Sequence, residues 1–543
     1  MAERVNTDPE KMEKIVSLCK SKGFIYQSAE LYGGLNGCWD YGPLGAELKR
    51  NLKDFWWRKN VQERDDILGM DGSILTHQAV LTASGHVGGF SDPMSTCKSC
   101  KKHIRFDQLR EMIATSEWAQ SLAAEMTVVK EGDPAQVEVS AETLKRWANK
   151  KGKKLAPGLA LVKNPDTVLS FFIEESERHQ PMDPWYVYQL LATEQFAQTG
   201  AQSPCPHCGG TLSEPKDFNL MFQTNMGATG DSTAYLRPET AQTIFVQYKN
   251  VLDSSRVKLP FGIAQIGKAF RNEVNPRNFT FRSREFEQME IEFFCRPEDG
   301  LRLTEEWLEK RLSFYEEIGV PREKLHVLDV PDGERAHYSA KTYDIEYEFP
   351  FGIHELEGVA YRGAYDLTKH QEHSGKNIEY FDEETKERFI PHVVEPSAGC
   401  DRTVLAVLCE SYDVEDLTKE GAKKPDLRTV MRFKPCIAPI KAAILPLLKN
   451  KPELVAKAKE VQHLLQPFMN VFYDETAAIG RRYRRQDEVG TPFCIAIDFE
   501  TLGEEGPNGE DLSDTVTVRH RDSMEQERVA ISELLPWLLQ RIR

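Results

Sequence analysis

No apolar run in this chain of 543 residues approaches the ~20 consecutive residues that a membrane-spanning helix needs. The opening residues, Met1-Ala2-Glu3-Arg4, lead into charged sequence and not into the apolar stretch of a secretory leader. Positive charge is not in excess: 69 Lys and Arg stand against 85 Asp and Glu, a formal net charge of −16. That argues against a protein that coats nucleic acid by bulk electrostatics, so DNA is not an expected partner, although local basic patches remain available. Cysteine is sparse, 11 residues, and without a secretory leader a disulfide framework is not expected. Internal repeats and low-complexity tracts are absent. The expectation is a cytoplasmic protein with no membrane partner, and the length calls for two to four domains.

Helix signals open the chain. Asp8 stands as N-cap, Pro9 at the first helical position and Gly23 as terminator, with Met12, Ile15, Val16 and Cys19 on one face. A second helix starts at Gly42-Pro43, where Leu44, Leu48, Leu52, Phe55 and Trp56 repeat at helical spacing; its apolar face reads as exposed. Strand-like segments follow at 262–271 and 286–294, then an acidic helical stretch at about 297–320. From 97 to 208 the character changes to charged helical stretches bounded by a Cys pair at each end, an insertion. A polar connector at 412–434 carries Gly421 and Pro425. The last hundred or so residues, from 435, alternate strands and helices, which predicts a parallel or mixed sheet.

The chemistry concentrates at 268–294. Strand, polar loop and strand bring arginines at 271, 277, 282 and 284 beside Glu273, Glu285, Glu287 and Glu290. Alternation puts Arg271 and Glu273 on one face of the first strand, and Phe286, Gln288, Glu290 and Glu292 on one face of the second. So many charges beside apolar residues are costly unless ligands neutralise them, and arginine suits phosphate oxygens best. Two further features stand apart. Cys97-Lys98-Ser99-Cys100 and Cys205-Pro206-His207-Cys208 have the spacing of zinc knuckles, which as a set of four thiolates would make a closed structural site; the other reading is thiols packed as small apolar groups. Basic side chains cluster at 145–154 and at Arg481, Arg482, Arg484 and Arg485, as solvated faces or as nucleic-acid contacts.

Arg271, Glu273, Arg282, Phe286 and Glu290 fall on the second signature motif of class II aminoacyl-tRNA synthetases, Arg-x-Glu, a loop, then Arg-x-x-x-Phe-x-x-x-Glu. Residues 396–410, beginning Pro396-Ser397-Ala398-Gly399-Cys400-Asp401-Arg402, resemble the third motif, and 42–80 more loosely the first. Leu236-Arg237-Pro238-Glu239-Thr240, Glu285-Phe286-Glu287-Gln288-Met289-Glu290 and Glu395-Pro396-Ser397 resemble the dimeric glycyl-tRNA synthetases. The resemblance implies an α+β fold: an antiparallel-sheet catalytic domain split over 1–96 and 209–411, the zinc-knuckle insertion, and a C-terminal α/β anticodon-binding domain. It implies ATP-dependent activation of glycine, transfer to tRNA(Gly), Mg2+ with the ATP, a structural Zn2+ and a homodimer.

The same resemblance assigns residues. Arg271 and Arg402 would be catalytic, Arg271 on the α-phosphate, Arg282 and Arg402 at the γ-phosphate. ATP would further meet Asn272, Glu273, Phe281, Ser283, Arg284, Glu285, Phe286, Glu355, Leu356, Gly399, Cys400 and Asp401, with Phe286 stacked on adenine and Glu355 on Mg2+. Glycine would meet Arg105, Glu239, Phe286, Glu287, Gln288, Met289, Glu290, Arg362, Glu395, Pro396, Ser397, Ala398 and Gly399. Zinc would take Cys97, Cys100, Cys205 and Cys208. Three rivals are weighed: a synthetase of another specificity in the subclass, a non-catalytic paralogue, and a plain zinc-ribbon nucleic-acid binder, which leaves most of the chain unexplained. The paralogue would be expected to have lost Arg271, Arg282 and Arg402.

Overall fold

The computed structural model describes residues 7–126, 140–178, 184–191, 201–230, 232–336, 338–422 and 424–542, so part of the stretch read as an insertion lies outside the described residues. The chain divides into two compact units, one of Met1–Val87 with Met221–Arg543, the other Gly88–Leu220.

The first unit opens with α1 (Pro9–Lys22), whose N-cap Asp8 accepts a 2.9 Å bond from the Lys11 amide and whose end Gly23 closes with φ +82°. Helix α2 (Pro43–Trp57) buries Leu48, Leu52, Phe55 and Trp56. The apolar face that reads as exposed in sequence is therefore covered by this chain's own core; Phe55 packs on Phe314 at 6.1 Å between ring centres.

Seven strands form the central sheet. They are β1 (Ile67–Gly69), β2 (Phe261–Phe270), β3 (Glu285–Cys295), β4 (Leu325–Asp329), β5 (Lys341–Phe349), β6 (Gly352–Gly363) and β7 (His392–Gly399), in the order β4-β5-β6-β7-β3-β2-β1. All neighbours are antiparallel except β2 and β1. The period of two decides what each face carries. On β3, Met289, Ile291, Phe293 and Cys295 enter the main core with α1, α2, α4 (Gly300–Glu317) and α6 (Cys400–Ser411). The opposite face carries Phe286, Gln288, Glu290 and Glu292, beside α3 (Ala241–Ser255) and α5 (Tyr365–Ser374). Truncating a core residue such as Met289 to alanine costs about 2–5 kcal/mol.

The connector at 412–434 is not a loose linker. Tyr412–Asp416 and Leu427–Met431 pair as an antiparallel hairpin. Arg428, with 0% exposure, reaches past it to Asp487 at 2.8 Å and to the carbonyl of Arg521. Beyond lies a mixed five-stranded sheet of β8 (Ala442–Pro446), β9 (Val471–Tyr473), β10 (Phe493–Ile497), β11 (Thr515–His520) and β12 (Gln526–Ala530), ordered β9-β8-β10-β11-β12. It packs against α7 (Pro452–Leu465) and α9 (Ile531–Arg541) through Leu454, Val461, Leu534 and Leu538, while α8 (Ile479–Val489) sets Ile479 and Tyr483 against Ala443, Leu445 and Cys494 on the other face.

The second unit starts nearer the N-terminus and ends later than the Cys pairs, because Ser91–Thr96 pairs with both His103–Arg105 and Lys216–Asn219. Trp118, Leu122, Trp147 and Phe172 form its core. The basic stretch at 145–154 is largely a solvated face: Lys145 pairs with Asp166 at 3.0 Å, and Arg146 and Lys151 share Glu125.

Candidate active site

A cavity of about 360 Å3 opens on the charged face of β3, β6 and β7. Strand alternation builds it: β3 contributes Phe286, Gln288 and Glu290, β7 contributes Glu395, Ser397 and Gly399, and β6 contributes Gly358 and Ala360. The loop between β2 and β3 adds Arg271, Glu273, Phe281, Arg282 and Ser283; of the other expected residues, Glu239, Glu355, Leu356, Asp401 and Arg402 also line it.

One end of the cavity is cationic. Arg402 donates through Nη1 to Glu355 Oε2 at 3.0 Å and through Nε to the Phe281 carbonyl at 3.2 Å, with its guanidinium 4.6 Å from the Phe281 ring centre. Arg271 donates to the Pro238 carbonyl at 3.1 Å and lies 5.4 Å from the Phe286 ring, which is half-buried. Arg402 beside Glu355 holds that carboxyl below its usual range. Asp344 lines the same region, and burial together with Glu355 and Glu346 pushes its carboxyl up to about 7. Two carboxylates side by side are hard oxygen donors of the kind Mg2+ takes.

The other end is acidic and buried. Glu239 accepts from Gln242 Nε2 at 3.0 Å and lies 3.5 Å from His86 Nε2; burial pushes its carboxyl up, but His86 and Arg362 outweigh this and hold it well down. His86 is fixed in turn by Ser84 Oγ at 2.8 Å from its Nδ1. Glu290 accepts from Ser397 Oγ at 2.7 Å and from the Thr240 hydroxyl; burial and Glu239 push its carboxyl up. Glu395 takes Arg362 Nη1 at 2.7 Å, and burial pushes it up to about 8 against the pull of that arginine. The loop carrying Glu239 is pinned because Arg237 runs beneath β2, donating to the Lys268 carbonyl at 2.7 Å and to Gly72 at 2.9 Å. Glycine at 267 permits this, since a Cβ there would collide with the Arg237 guanidinium.

Several expected residues lie elsewhere. Glu287 is on the reverse face of β3, paired with Lys49 at 3.0 Å and Lys53 at 2.8 Å. Met289, Ala398 and Cys400 are core, and Pro396 alternates away from the cavity with Ala398. Arg284 turns to backbone, donating to Glu273 at 3.0 Å and Asn36 at 2.5 Å, while Glu285 pairs with Lys268. Asn272 does not line the cavity. Asp401 lines it at one edge and is held from below by Tyr41 at 2.6 Å and Lys49 at 2.7 Å. Arg362 underlies the cavity without lining it. Arg105 belongs to the second unit, where it pairs with Asp92 at 3.1 Å and Asp107 at 2.7 Å.

Sequence reasoning missed Glu334, Arg335, Tyr338, Thr342 and Asp344, which form the far wall. Tyr338 stacks on Arg362 at 3.8 Å. Asp344 and Thr342 were findable, since they alternate with Glu346 on a strand beside Glu355; Glu334, Arg335 and Tyr338 sit in a loop with no pattern.

In the second unit the four cysteine sulfurs lie within 4.8 Å of one another, with Cys97 to Cys208 and Cys100 to Cys205 both 3.7 Å. Tetrahedral Zn–S bonds of about 2.3 Å place sulfurs about 3.8 Å apart. Burial pushes the Cys97 thiol up, but amides of Cys100 and Ser99 donating to it bring it down to about 7.

An antiparallel sheet with arginines at one end of a cavity and buried acids at the other is the arrangement of a class II synthetase core. The family described as tRNA synthetase class II core domain (G, H, P, S and T) matches residues 222–412, and the anticodon binding domain family matches 441–541. Glycine--tRNA ligase of Clostridium acetobutylicum is 44% identical over 99% of this chain and 100% of its own length. That of Clostridium perfringens is 46% identical over 96% and 97%, and that of Deinococcus radiodurans 44% over 98% and 99%. The chain belongs to the glycine--tRNA ligase family of class II synthetases.

Proposed function

We infer that this chain activates glycine with ATP to glycyl-adenylate and passes the glycyl group to the 3′ end of tRNA(Gly), with the chemistry in the cavity between Arg402 and Glu239. The observation that carries the residue-level reading is the polarity of that cavity: phosphate-binding cations at one end, carboxylates for an ammonium at the other. The glycine carboxylate attacks the α-phosphorus and pyrophosphate leaves, so no strong base is required. Catalysis is positioning and charge stabilisation. Arg271 serves the α-phosphate and the attacking carboxylate, Arg282 and Arg402 the γ-phosphate, and Phe286 stacks on adenine with Glu273 reading its amino group. Mg2+ neutralises phosphate charge when bound; Glu355, with Asp344 beside it, would hold it.

Glu239, Glu290 and Glu395 take the ammonium, with Ser397 as a polar contact. A methyl group is worth only ~1–3 kcal/mol in a pocket, so alanine must be refused by rigid walls. Buried Gln288, Glu290 and Glu395, each tied by hydrogen bonds, supply such walls. Arg271→Ala should lower glycine-dependent ATP–pyrophosphate exchange by roughly 100-fold or more without lowering Tm. A normal exchange rate in that variant would overturn the phosphate assignment.

We propose three further features. The spacing of the four cysteine sulfurs supports a closed structural Zn2+ in the second unit. A homodimer is supported by the class II resemblance and by Leu31, 97% exposed, and Tyr32, 92% exposed, side by side on one short turn. The residues from 435 onward would read the anticodon. Among the described residues no helix is long and apolar enough to cross a membrane.

A further inference from the structure

Glu292 has no role in that reading. It follows Glu290 by two positions on β3 and so shares its face. It is wholly buried, and among the described residues neither carboxyl oxygen has a hydrogen-bond partner. Carboxyl oxygens of Glu290, Glu292 and Glu395 all lie within 4.8 Å of one another.

The charged groups around it come from four elements: Glu290 on its own strand, Glu395 on β7, Arg362 on β6 and Asp366 on α5. Arg362 is the one cation of the set, and it is committed. Its Nη1 is 2.7 Å from Glu395, and its Nε and Nη2 are 2.7 and 2.9 Å from Asp366. An ionised carboxylate in this place would have neither a counter-ion nor a donor, the costliest state for a buried acid. The neutral acid escapes that cost and brings an O–H into a cluster rich in acceptors. Burial, then Glu395 and Glu290, push its carboxyl well above the usual range.

We propose that Glu292 is a positioning residue of the glycine site, standing protonated behind Glu290 and Glu395 so that its O–H can turn to one of their carboxylates and brace it toward the substrate ammonium. The inference rests on the pocket reading above and adds a residue that does not itself line the cavity. It also eases the crowding of acids in one small volume, because Glu292 adds no charge to it.

Three variants test it. Glu292→Gln is neutral, equal in shape and still a donor. It should leave the KM for glycine within about threefold of wild type, with kcat unchanged, from mildly acid to mildly alkaline pH. Glu292→Met fills the space without a donor, and should raise the KM for glycine about tenfold or more while the KM for ATP and the Tm hold. Infrared difference spectra of wild type minus Glu292→Gln near neutral pH should contain a protonated-carboxyl band, which keeps the question answerable if the Met variant fails to fold. A tenfold KM rise in Glu292→Gln, wild-type kinetics in Glu292→Met, or no protonated-carboxyl band would each overturn the proposal. Glu239→Gln, which should weaken glycine binding whatever Glu292 does, separates failure of this inference from failure of the pocket reading.

Discussion

Arg362 Nη1 donates to Glu395 Oε1 at 2.7 Å while its Nε and Nη2 clamp Asp366, so one guanidinium ties the floor of the acidic pocket to α5. Arg362 and Asp366 are buried and Glu395 nearly so. Removing the cation leaves Asp366 and Glu395 without their counter-ion in a largely buried place. Arg362→Gln should therefore cost about 3–5 kcal/mol in urea unfolding and raise the KM for glycine. Stability within 1 kcal/mol of wild type, roughly the scale of a surface pair, would contradict this account of the floor.

The sulfur spacing of the four cysteines predicts about one Zn2+ per chain, measurable by metal analysis of protein purified without chelator. Cys97→Ser combined with Cys205→Ser should lower the metal content and open Gly88–Leu220 to proteolysis. A metal-free wild type would leave the thiols as packed apolar groups.

The C-terminal arginines separate by burial. Arg482, 1% exposed, donates to the carbonyls of Pro446, Leu447 and Asp474, so it is part of the fold and not a tRNA contact. Arg484 pairs with Asp426 and Arg485 with Asp474, whereas Arg481 is exposed. Arg481→Ala should raise the KM for tRNA and flatten its salt dependence with Tm unchanged. Arg482→Ala should lower Tm first. Equal effects of the two on tRNA charging in folded protein would contradict the separation.

Lys441 is buried and donates to the carbonyls of Pro435 at 2.9 Å and Cys436 at 2.7 Å. Burial brings its amine down to about 8. Between that value and the ordinary lysine range near 10.5 the unfolded chain binds the extra proton, so wild-type stability should rise with pH across this window. Lys441→Met should lack that rise. Parallel Tm profiles for the two proteins would refute it.

Much of this was legible in the sequence because it follows local rules. Asp8 and Gly23 bound α1, Pro43 starts α2, and alternation on β3 separates Phe286, Gln288 and Glu290 from the core. The same rule turns Glu287, Met289, Pro396 and Ala398 away from the cavity although they stand in the same motif strings, since a strand reverses every second side chain. The aromatic face of α2 read as exposed because a helical pattern marks an apolar stripe without saying what covers it; here Phe314 and the main core do. The hairpin at 412–431 and its Arg428 anchor were illegible, since a charged stretch with Gly and Pro carries no sign of a partner sixty residues on. A cut near Arg432 would strip Arg428 of Asp487, so the C-terminal part is not a module to be removed cleanly.

The central claim is that the acidic pocket accepts glycine and refuses larger amino acids. ATP–pyrophosphate exchange measured against each of the twenty amino acids tests it most directly. The account predicts strong exchange with glycine and hardly any with alanine or serine. Robust exchange with another amino acid and none with glycine would contradict it.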